Sequence, residues 1–420
     1  MIVISGARTL TSDGWQTCDV AIEGATVAAV GAVAPAPDDV VIDGAGKVLG
    51  PGFVDLHTHL RDPGQTWKED MESGTRSAAR GGFTAVLAMP NTEPAVDSGE
   101  MVRRCNSRAS ESGLVEVGFS GALSMGRAGE EMAHLDEMYE EGVRIFTDDG
   151  DTLADGGLLR RIMLYLGDRS DAVIAQHAED RAIAGNGHMH EGARSQTLGL
   201  VGLPASAEVA VIARDLALVT ETGARYHVQH ISTAGAVALV RQAKDEGLKV
   251  TAEVTPHHLM LSEDNLDSLD SNLKMYPPLR SAADRQAVVG GLRDGVIDAI
   301  ATDHAPHTPS EKDVPFEVAP RGVIGLETAF PVALAALDGN LDLVFDRMSI
   351  APAKIGKFET QGQAVTEGAP ANLVLLDPDQ SWVADEFVSR SKNSPFLGQD
   401  LKGTVVATIV NGELVHGGGR

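Results

Sequence analysis

Two histidines one residue apart end an apolar run in Gly52-Phe-Val-Asp-Leu-His57-Thr-His59-Leu-Arg61, just before a Pro63-Gly64 turn. Side chains alternate along an extended strand, so His57 and His59 share a face and can grip one metal ion. Alone, such a pair is a weak signal and is more often polar decoration where a strand meets a loop. Four further stretches shift the balance. Thr147-Asp148-Asp149-Gly150, Gln176-His177-Ala-Glu179, Gln229-His230-Ile-Ser232 and Thr302-Asp303-His304-Ala-Pro-His307 each follow a short apolar, β-rich run. A catalytic zinc typically takes three protein ligands plus water, so four histidines and two aspartates are too many for one ion. They suit two ions if one carboxylate bridges them, and a mixed imidazole and carboxylate set favours zinc, with cobalt or manganese next. Two cations about 3.5–4 Å apart hold a hydroxide and polarise a carbonyl, which is machinery for hydrolysing or forming an amide-like bond.

The elements that must position these groups are legible as a pattern. From Gly52 to about Leu337, β-rich runs alternate with helical stretches. The expected strands are Phe53–Leu56, Thr84–Met89, Val115–Gly121, Val143–Phe146, Ala172–Gln176, Arg225–Gln229, Lys249–Val254 and Ile297–Thr302. Leu159, Ile162, Met163 and Leu166 mark one helical face between them, and Ala236, Val237, Val240 and Ala243 another. Gly81-Gly82 and Gly247 fall where helices should stop. Eight strands alternating with helices over roughly 250 residues predict an α/β fold of the (β/α)8 TIM-type barrel class, in which chemistry sits at the C-terminal ends of the strands. Five of those eight ends carry histidine or aspartate. A doubly wound sheet is the structural alternative, but no Gly-rich phosphate loop follows the first strand.

Both chain ends have a different texture. Met1–Ser5, Thr17–Ile22, Thr26–Val30 and Asp39–Asp43 read as strands with Asp13-Gly14, Glu23-Gly24 and Asp43-Gly44 as turns. Ala371–Leu376 and Gly403–Asn411 repeat that texture, with Asn411-Gly412 as a hairpin turn. Residues 1–50 and 365–420 are therefore expected to build one small accessory β-sandwich domain, leaving 51–364 as the catalytic barrel. The Gly417–Arg420 tail is expected to fray.

Bulk properties narrow the function. A net charge of −26 argues against nucleic acid as a partner and means that an anionic substrate needs a local positive site. No apolar run is long enough to cross a membrane, and Met1-Ile-Val-Ile-Ser5 lacks the basic start of a signal peptide, so a cytoplasmic location is expected. Cys18 and Cys105 offer neither a disulfide framework nor a CxxC pattern. Cys105 lies among Met101, Val102 and Ala109 at helical spacing and reads as core. Of the other histidines, His134 lies in a charged helical stretch, His188 and His190 in a Gly-rich loop and His227 within the sixth strand. His257-His258 face the same mouth as the candidate ligands, with orienting or packing as their expected role.

Several of these motifs together resemble dihydroorotases. They are Pro51-Gly-Phe-Val-Asp-Leu-His57-Thr-His59-Leu-Arg61, Met89-Pro-Asn91-Thr, Phe146-Thr-Asp-Asp149-Gly, Gln176-His177-Ala-Glu, Thr255-Pro-His-His-Leu and Ala301-Thr-Asp303-His-Ala-Pro-His307. With Gly325-Leu-Glu-Thr, the likeness runs almost end to end and is to the longer bacterial enzymes of the amidohydrolase superfamily. It implies two zinc ions, with His57, His59 and Asp303 on the first, His177 and His230 on the second, and Asp149 between them. Many relatives use a carboxylated lysine as the bridge, and this sequence has no lysine there. The likeness further implies substrate contacts from His59, Arg61, Asn91, His307 and the Arg321-Gly322 segment. One departure stands out: before Pro277-Pro278-Leu-Arg280 the family usually has a substrate-contacting asparagine, and here that position is Tyr276.

The implied reaction is reversible cyclisation of N-carbamoyl-L-aspartate to L-dihydroorotate in pyrimidine synthesis, by attack of a metal-bridging hydroxide with Asp303 as general base and then acid. Two other readings compete. A hydantoinase or allantoinase would share fold and metals but would normally carry the lysine bridge and have no need of the Arg61/Asn91/His307 anion pocket. A non-catalytic scaffold subunit of aspartate transcarbamoylase would be expected to have lost ligands, and all six are present. The resemblance allows a homodimer and a complex of the active enzyme with aspartate transcarbamoylase. The sequence leaves open whether Thr308–Phe316 closes over substrate.

Overall fold

The computed structural model describes residues 1–167 and 169–417. The first five strands are β1 (Ile2–Thr11), β2 (Gly14–Glu23), β3 (Thr26–Gly31), β4 (Val40–Asp43) and β5 (Val48–Pro51). β1 pairs with β2, while its other edge is shared in turn by β4 at Ile2–Ser5 and by β5 at Arg8–Thr9. The handover needs Gly44, because a Cβ there would sit 2.7 Å from the Ala7 Cβ and 2.8 Å from the Ser5 carbonyl oxygen. β5 was not foreseen: Val48-Leu-Gly-Pro51 is short, and Gly50-Pro51-Gly52 carries the residues of a turn rather than of a strand.

The barrel strands are β6 (Phe53–Thr58), β7 (Phe83–Ala88), β8 (Glu116–Phe119), β9 (Ile145–Phe146) and β10 (Val173–Gln176). After a small two-stranded excursion, β11 (Met189–His190) with β12 (Gly202–Leu203), the series continues as β13 (Tyr226–Val228), β14 (Val250–Val254) and β15 (Ala299–Ile300). β6, β7 and β8 pair in parallel, as do β9, β10, β13, β14 and β15. Parallel bridges from Gly121 to Phe146 and from Thr58 to His304 join the two groups at both edges. Parallel pairing thus runs in a closed circuit through all eight expected strands, the TIM-barrel arrangement.

Both faces of these strands are covered, which is why they read as near-continuous apolar runs. Val54, Leu56, Ala85, Leu87, Val173, Ala175 and Ala299 pack with Ala353 and Phe358. Their neighbours Val86, Ala88, Ile174 and Ile300 join the larger core with the helices. Helix Gly156–Leu166 buries Leu159, Ile162, Met163 and Leu166, and helix Ala234–Asp245 buries Ala236, Val237, Val240 and Ala243, as their spacing predicts. Each starts on a side-chain cap, Asp155 and Thr233 respectively. Helix Met71–Arg80 starts on Asp70 and stops at Gly81. Cys105 is buried in this core beside Val102. Among the described residues, no helix is long and apolar enough to cross a membrane.

The last strands, β16 (Leu373–Val383), β17 (Asp400–Val410) and β18 (Glu413–Gly417), return to the N-terminal sheet, where β16 pairs with β5. The hydrogen bonds therefore run through one continuous eight-stranded sheet contributed by both chain ends. It folds over: Val27 N–H donates to Ala369 O and Gly368 N–H to Val27 O, tying the β3 edge to the segment entering β16. One core of Ile4, Val20, Ile22, Leu49, Leu373 and Ile409 fills the fold. This replaces the two separate sheets of a sandwich, because β5 supplies the bridging strand that sequence reading missed. Gly417, expected to fray, ends β18 opposite Ala407, and residues 418–420 lie outside the described residues. Between β16 and β17 the segment 384–399 leaves the sheet and packs on loops beside the barrel mouth, with Ser389 on Glu69, Ser391 on the Lys68 carbonyl and Asn393 on the His307 N–H.

Candidate metal centre and substrate cavity

His57 is the penultimate residue of β6, His59 follows the strand, and Asp149, His177, His230 and Asp303 follow β9, β10, β13 and β15. All six are buried. Backbone shape aims two of them and the nearby Arg61: Arg61, His230 and Asp303 have φ of 59°, 30° and 47°. Such left-handed geometry is uncommon for residues other than glycine and persists only where surroundings enforce it. Part of that enforcement is Asp55, which accepts from the His57 N–H at 3.1 Å and the Thr302 N–H at 3.0 Å, binding the first barrel strand to the last.

Asp149 lies at the centre. Its Oδ2 is 3.3 Å from His57 Nε2 and 3.5 Å from His59 Nε2, and its Oδ1 is 3.5 Å from His230 Nε2 and 3.7 Å from His177 Nδ1. One carboxylate thus divides its oxygens between two histidine pairs. Asp303 Oδ1 lies 2.9 Å from His59 Nε2 and 3.6 Å from His57 Nε2. His57, His59 and Asp303 form one group able to hold an ion, and His57, Asp149 and His230 another. His57 Nε2 and Asp149 Oδ1 are buried without a hydrogen-bond partner, and His177 Nδ1 faces His230 Nε2 at 2.8 Å. Buried polar atoms are normally satisfied, so a cluster of converging, underused nitrogen and oxygen donors fits divalent cations.

Electrostatics agree. Burial, then the neighbouring His230, pushes the His177 imidazole down to about 3, leaving it neutral with a lone pair to give. Burial would raise the Asp149 carboxyl, but the His57 imidazole and hydrogen bonds with His230 and His57 hold it well below the usual range. Asp303 is likewise lowered against burial by His57 and His59.

Behind the cluster is a group that sequence reading missed. Glu253, on β14, has one carboxylate oxygen 2.7 Å from His57 Nδ1 and the other 3.0 Å from His227 Nε2. A carboxylate behind a metal-binding histidine fixes its tautomer and strengthens it as a donor. The available signal was an acid inside the apolar run Val250-Thr-Ala-Glu253-Val254, which is costly to bury unless partnered. His227, read as structural, is that partner. The His257 and His258 rings lie 4.7 Å apart with their planes tilted by 49°, and His258 lies against Thr255 and the Pro277 carbonyl. Asp148 and His304 turn away from the centre: Asp148 accepts from Leu123 and Ser124, and His304 lies beside Glu69.

In front of the cluster is a cavity of about 200 Å³ lined by His59, Asp149, His177, His230 and Asp303 together with Arg61, Asn91, Tyr276, His307, Arg321 and Gly322. Asn91 Oδ1 lies 2.9 Å from His59 Nδ1, orienting its amide nitrogen as a remaining donor. Arg61 spends Nε on the Pro306 carbonyl, and its terminal nitrogens have no hydrogen-bond partner among the described residues. Burial lowers Arg61 only to about 10, so it stays cationic near neutrality. His307 Nε2 lies 2.9 Å from the Arg321 carbonyl, while its Nδ1 is buried and unpartnered. Arg321 donates to the Gly187 carbonyl and stacks over the Tyr276 ring at 4.0 Å; the same ring lies 4.7 Å from that of His177. Tyr276 thus forms an aromatic wall between the histidines and Arg321. Beyond the cavity, Thr308–Phe316 is anchored, with Glu311 paired to Lys68 at 2.9 Å and Lys312 buried.

Comparison with known proteins supplies the family. A Dihydro-orotase-like family model matches residues 46–236. The chain is 44% identical over 406 residues to a Thermoanaerobacter protein named dihydroorotase, covering 95% of this chain and 93% of that one. It is 43% identical to the dihydroorotase of a Geobacter species across the full length of both. Among solved structures it resembles the L-hydantoinase of Arthrobacter aurescens, with a TM-score of 0.88 and 27% identity over 100% of this chain and 96% of that one. Identity over nearly the whole of both chains, with the histidine and aspartate cluster in place, means that the chain belongs to the dihydroorotases.

Proposed function

We propose that the protein interconverts N-carbamoyl-L-aspartate and L-dihydroorotate in pyrimidine synthesis, using two divalent cations, zinc before cobalt or manganese. His57, His59 and Asp303 would hold the first, His177 and His230 the second, and Asp149 would lie between them. The observation that carries this reading is the division of the Asp149 oxygens between two histidine pairs, in one cavity with the guanidinium groups of Arg61 and Arg321. When bound, the cations polarise the amide carbonyl and make water acidic enough to act as a nucleophile near neutrality.

The chain's own residues do the rest. Arg61, Asn91 and His307 bind the carboxylate that takes no part in the reaction; the planar guanidinium suits two-point binding. Burial, then the charge of Arg61, pushes His307 down to about 3 before a carboxylate binds; with its Nε2–H given to the Arg321 carbonyl, its Nδ1 becomes a donor by taking up a proton as the carboxylate binds. In hydrolysis Asp303 removes the proton of the attacking water, the ring C–N bond breaks, and Asp303 returns the proton to the leaving nitrogen. In cyclisation it takes the ureido proton as that nitrogen attacks the side-chain carboxyl and water leaves. The intact six-residue cluster supports an active enzyme over a scaffold subunit, and the two arginines support a carboxylate-bearing ring over hydantoin or allantoin.

The test is metal content and L-dihydroorotate hydrolysis on one preparation before and after chelation. Close to two zinc ions per chain, with activity lost on chelation and restored by zinc, is the expected result. Two ions without dihydroorotate turnover would move the assignment to another cyclic amide and make Tyr276 the first suspect. No tightly bound metal and no turnover would favour the scaffold.

A further inference from the structure

Beside Arg61, the cavity is lined by two loops, Ala305–His307 after β15 and Arg321–Gly322. They approach closely: a Cβ on Gly322, whose φ is +121°, would lie 2.7 Å from that of Ala305. One side chain from a distant part of the sequence ties them together. Asn393, in the segment between β16 and β17, is 3% exposed. Its Oδ1 accepts from the His307 N–H at 3.1 Å, and its Nδ2 donates to the carbonyls of Ala305 and Gly322, both at 3.1 Å. Its backbone carbonyl accepts from Ile324 N–H. With two carbonyls on one side and an N–H on the other, the amide has only one satisfactory orientation.

We propose that Asn393 is a positioning residue for the substrate's free carboxylate: it fixes the His307 loop against the Arg321–Gly322 loop so that their donors converge. The inference rests on the assignment of Arg61, Asn91 and His307 to that carboxylate. Asn393 touches neither the histidine cluster nor the cavity, so its loss should loosen substrate capture and leave the cations in place. Small displacements of positioning groups cost rate or affinity steeply.

The decisive variant is Asn393→Asp, which keeps the shape and the acceptor for His307 N–H but sets an oxygen against two carbonyls. Asn393→Ala and His307→Ala accompany it. The readouts are KM and kcat for L-dihydroorotate hydrolysis, zinc per chain and the melting temperature of the zinc-loaded enzyme. KM should rise about tenfold or more in both Asn393 variants, with kcat within about threefold of the parent. Zinc content should be unchanged. If His307→Ala raises KM and neither Asn393 variant does, the positioning role is overturned while the carboxylate assignment stands. If His307→Ala leaves KM unchanged, that assignment itself fails and takes the inference with it. A parallel fall of folded yield, zinc and kcat without a selective KM change would make Asn393 a folding residue and overturn the proposal.

Discussion

Replacing Glu253 by glutamine separates the support of the metal centre from the centre itself. Burial would raise the Glu253 carboxyl, but the His57 charge and hydrogen bonds with His227 and His57 bring it from 4.5 down to about 2. At about 1.4 kcal/mol per pKa unit, that depression corresponds to roughly 3 kcal/mol of folded-state stabilisation. Hydrogen bonds to a charged group at about 1.5–3 kcal/mol each give a similar magnitude for the pair of histidine contacts. The sign follows from the depression: the contribution is fully present above pH 4.5 and is lost as pH falls through about 2. Glu253→Gln keeps the shape and can still accept from one histidine, but it carries no charge. Chelated Glu253→Gln should therefore be less stable than the chelated parent by up to about 3 kcal/mol near pH 6, and the gap should close as pH approaches 2. Urea unfolding at a series of pH values reads this directly. At neutral pH, zinc should be held about 10–100-fold more weakly, measured by competition with a chromophoric chelator. A variant with parental zinc affinity and a parental urea midpoint would refute the reasoning and leave Glu253 as filler in the barrel.

Other perturbations follow from the same geometry. Asp303→Asn should lower turnover by at least about 10²–10⁴-fold while L-dihydroorotate still binds; loss of binding in step with turnover would count against a purely catalytic role. Tyr276→Ala removes the ring between His177 and Arg321, a cation–π contact of about 0.5–2 kcal/mol, and Tyr276→Phe keeps it. Steady-state kinetics should show the alanine variant impaired and the phenylalanine variant near parental; equal impairment would point to the hydroxyl instead. Lys312 is pushed by burial from 10.5 down to about 7, so between those values the unfolded chain binds the extra proton and stability rises with pH. The melting temperature should climb from pH 7 to 9 more steeply in the parent than in Lys312→Met, and identical slopes would dismiss the buried ammonium as the cause.

The six-residue cluster centred on Asp149 was legible because the barrel places every strand end at one mouth, so a local pattern repeated around the chain becomes a cluster. Alternation and helical spacing located all eight strands, although several pair over fewer residues than their apolar runs suggest; β9, for example, is only Ile145–Phe146. Two kinds of information were out of reach. Glu253 stood out only as an acid in an apolar run, because its meaning depends on His57, 196 positions away. Asn393 was invisible for the same reason, its partners lying 71 to 88 residues earlier. β5 was lost because two strands belonging to different sheets meet with only Gly52 between them. The Tyr276 departure was visible as a change of residue type, but only the structure places its ring between His177 and Arg321.

The folded-over sheet also sets an order of assembly. β5, with all four residues buried, has one edge against β1 and the other against β16, which is synthesised only after the whole barrel. Until then the nascent N-terminal sheet presents an apolar edge able to pair with the wrong strand. The segment bearing Asn393 arrives in the same late stretch. A chain interrupted after the barrel would contain every residue of the histidine and aspartate cluster, yet its cavity would lack the amide that ties the two loops together. Substrate recognition is thus completed last, by the same piece of chain that seals the exposed edge.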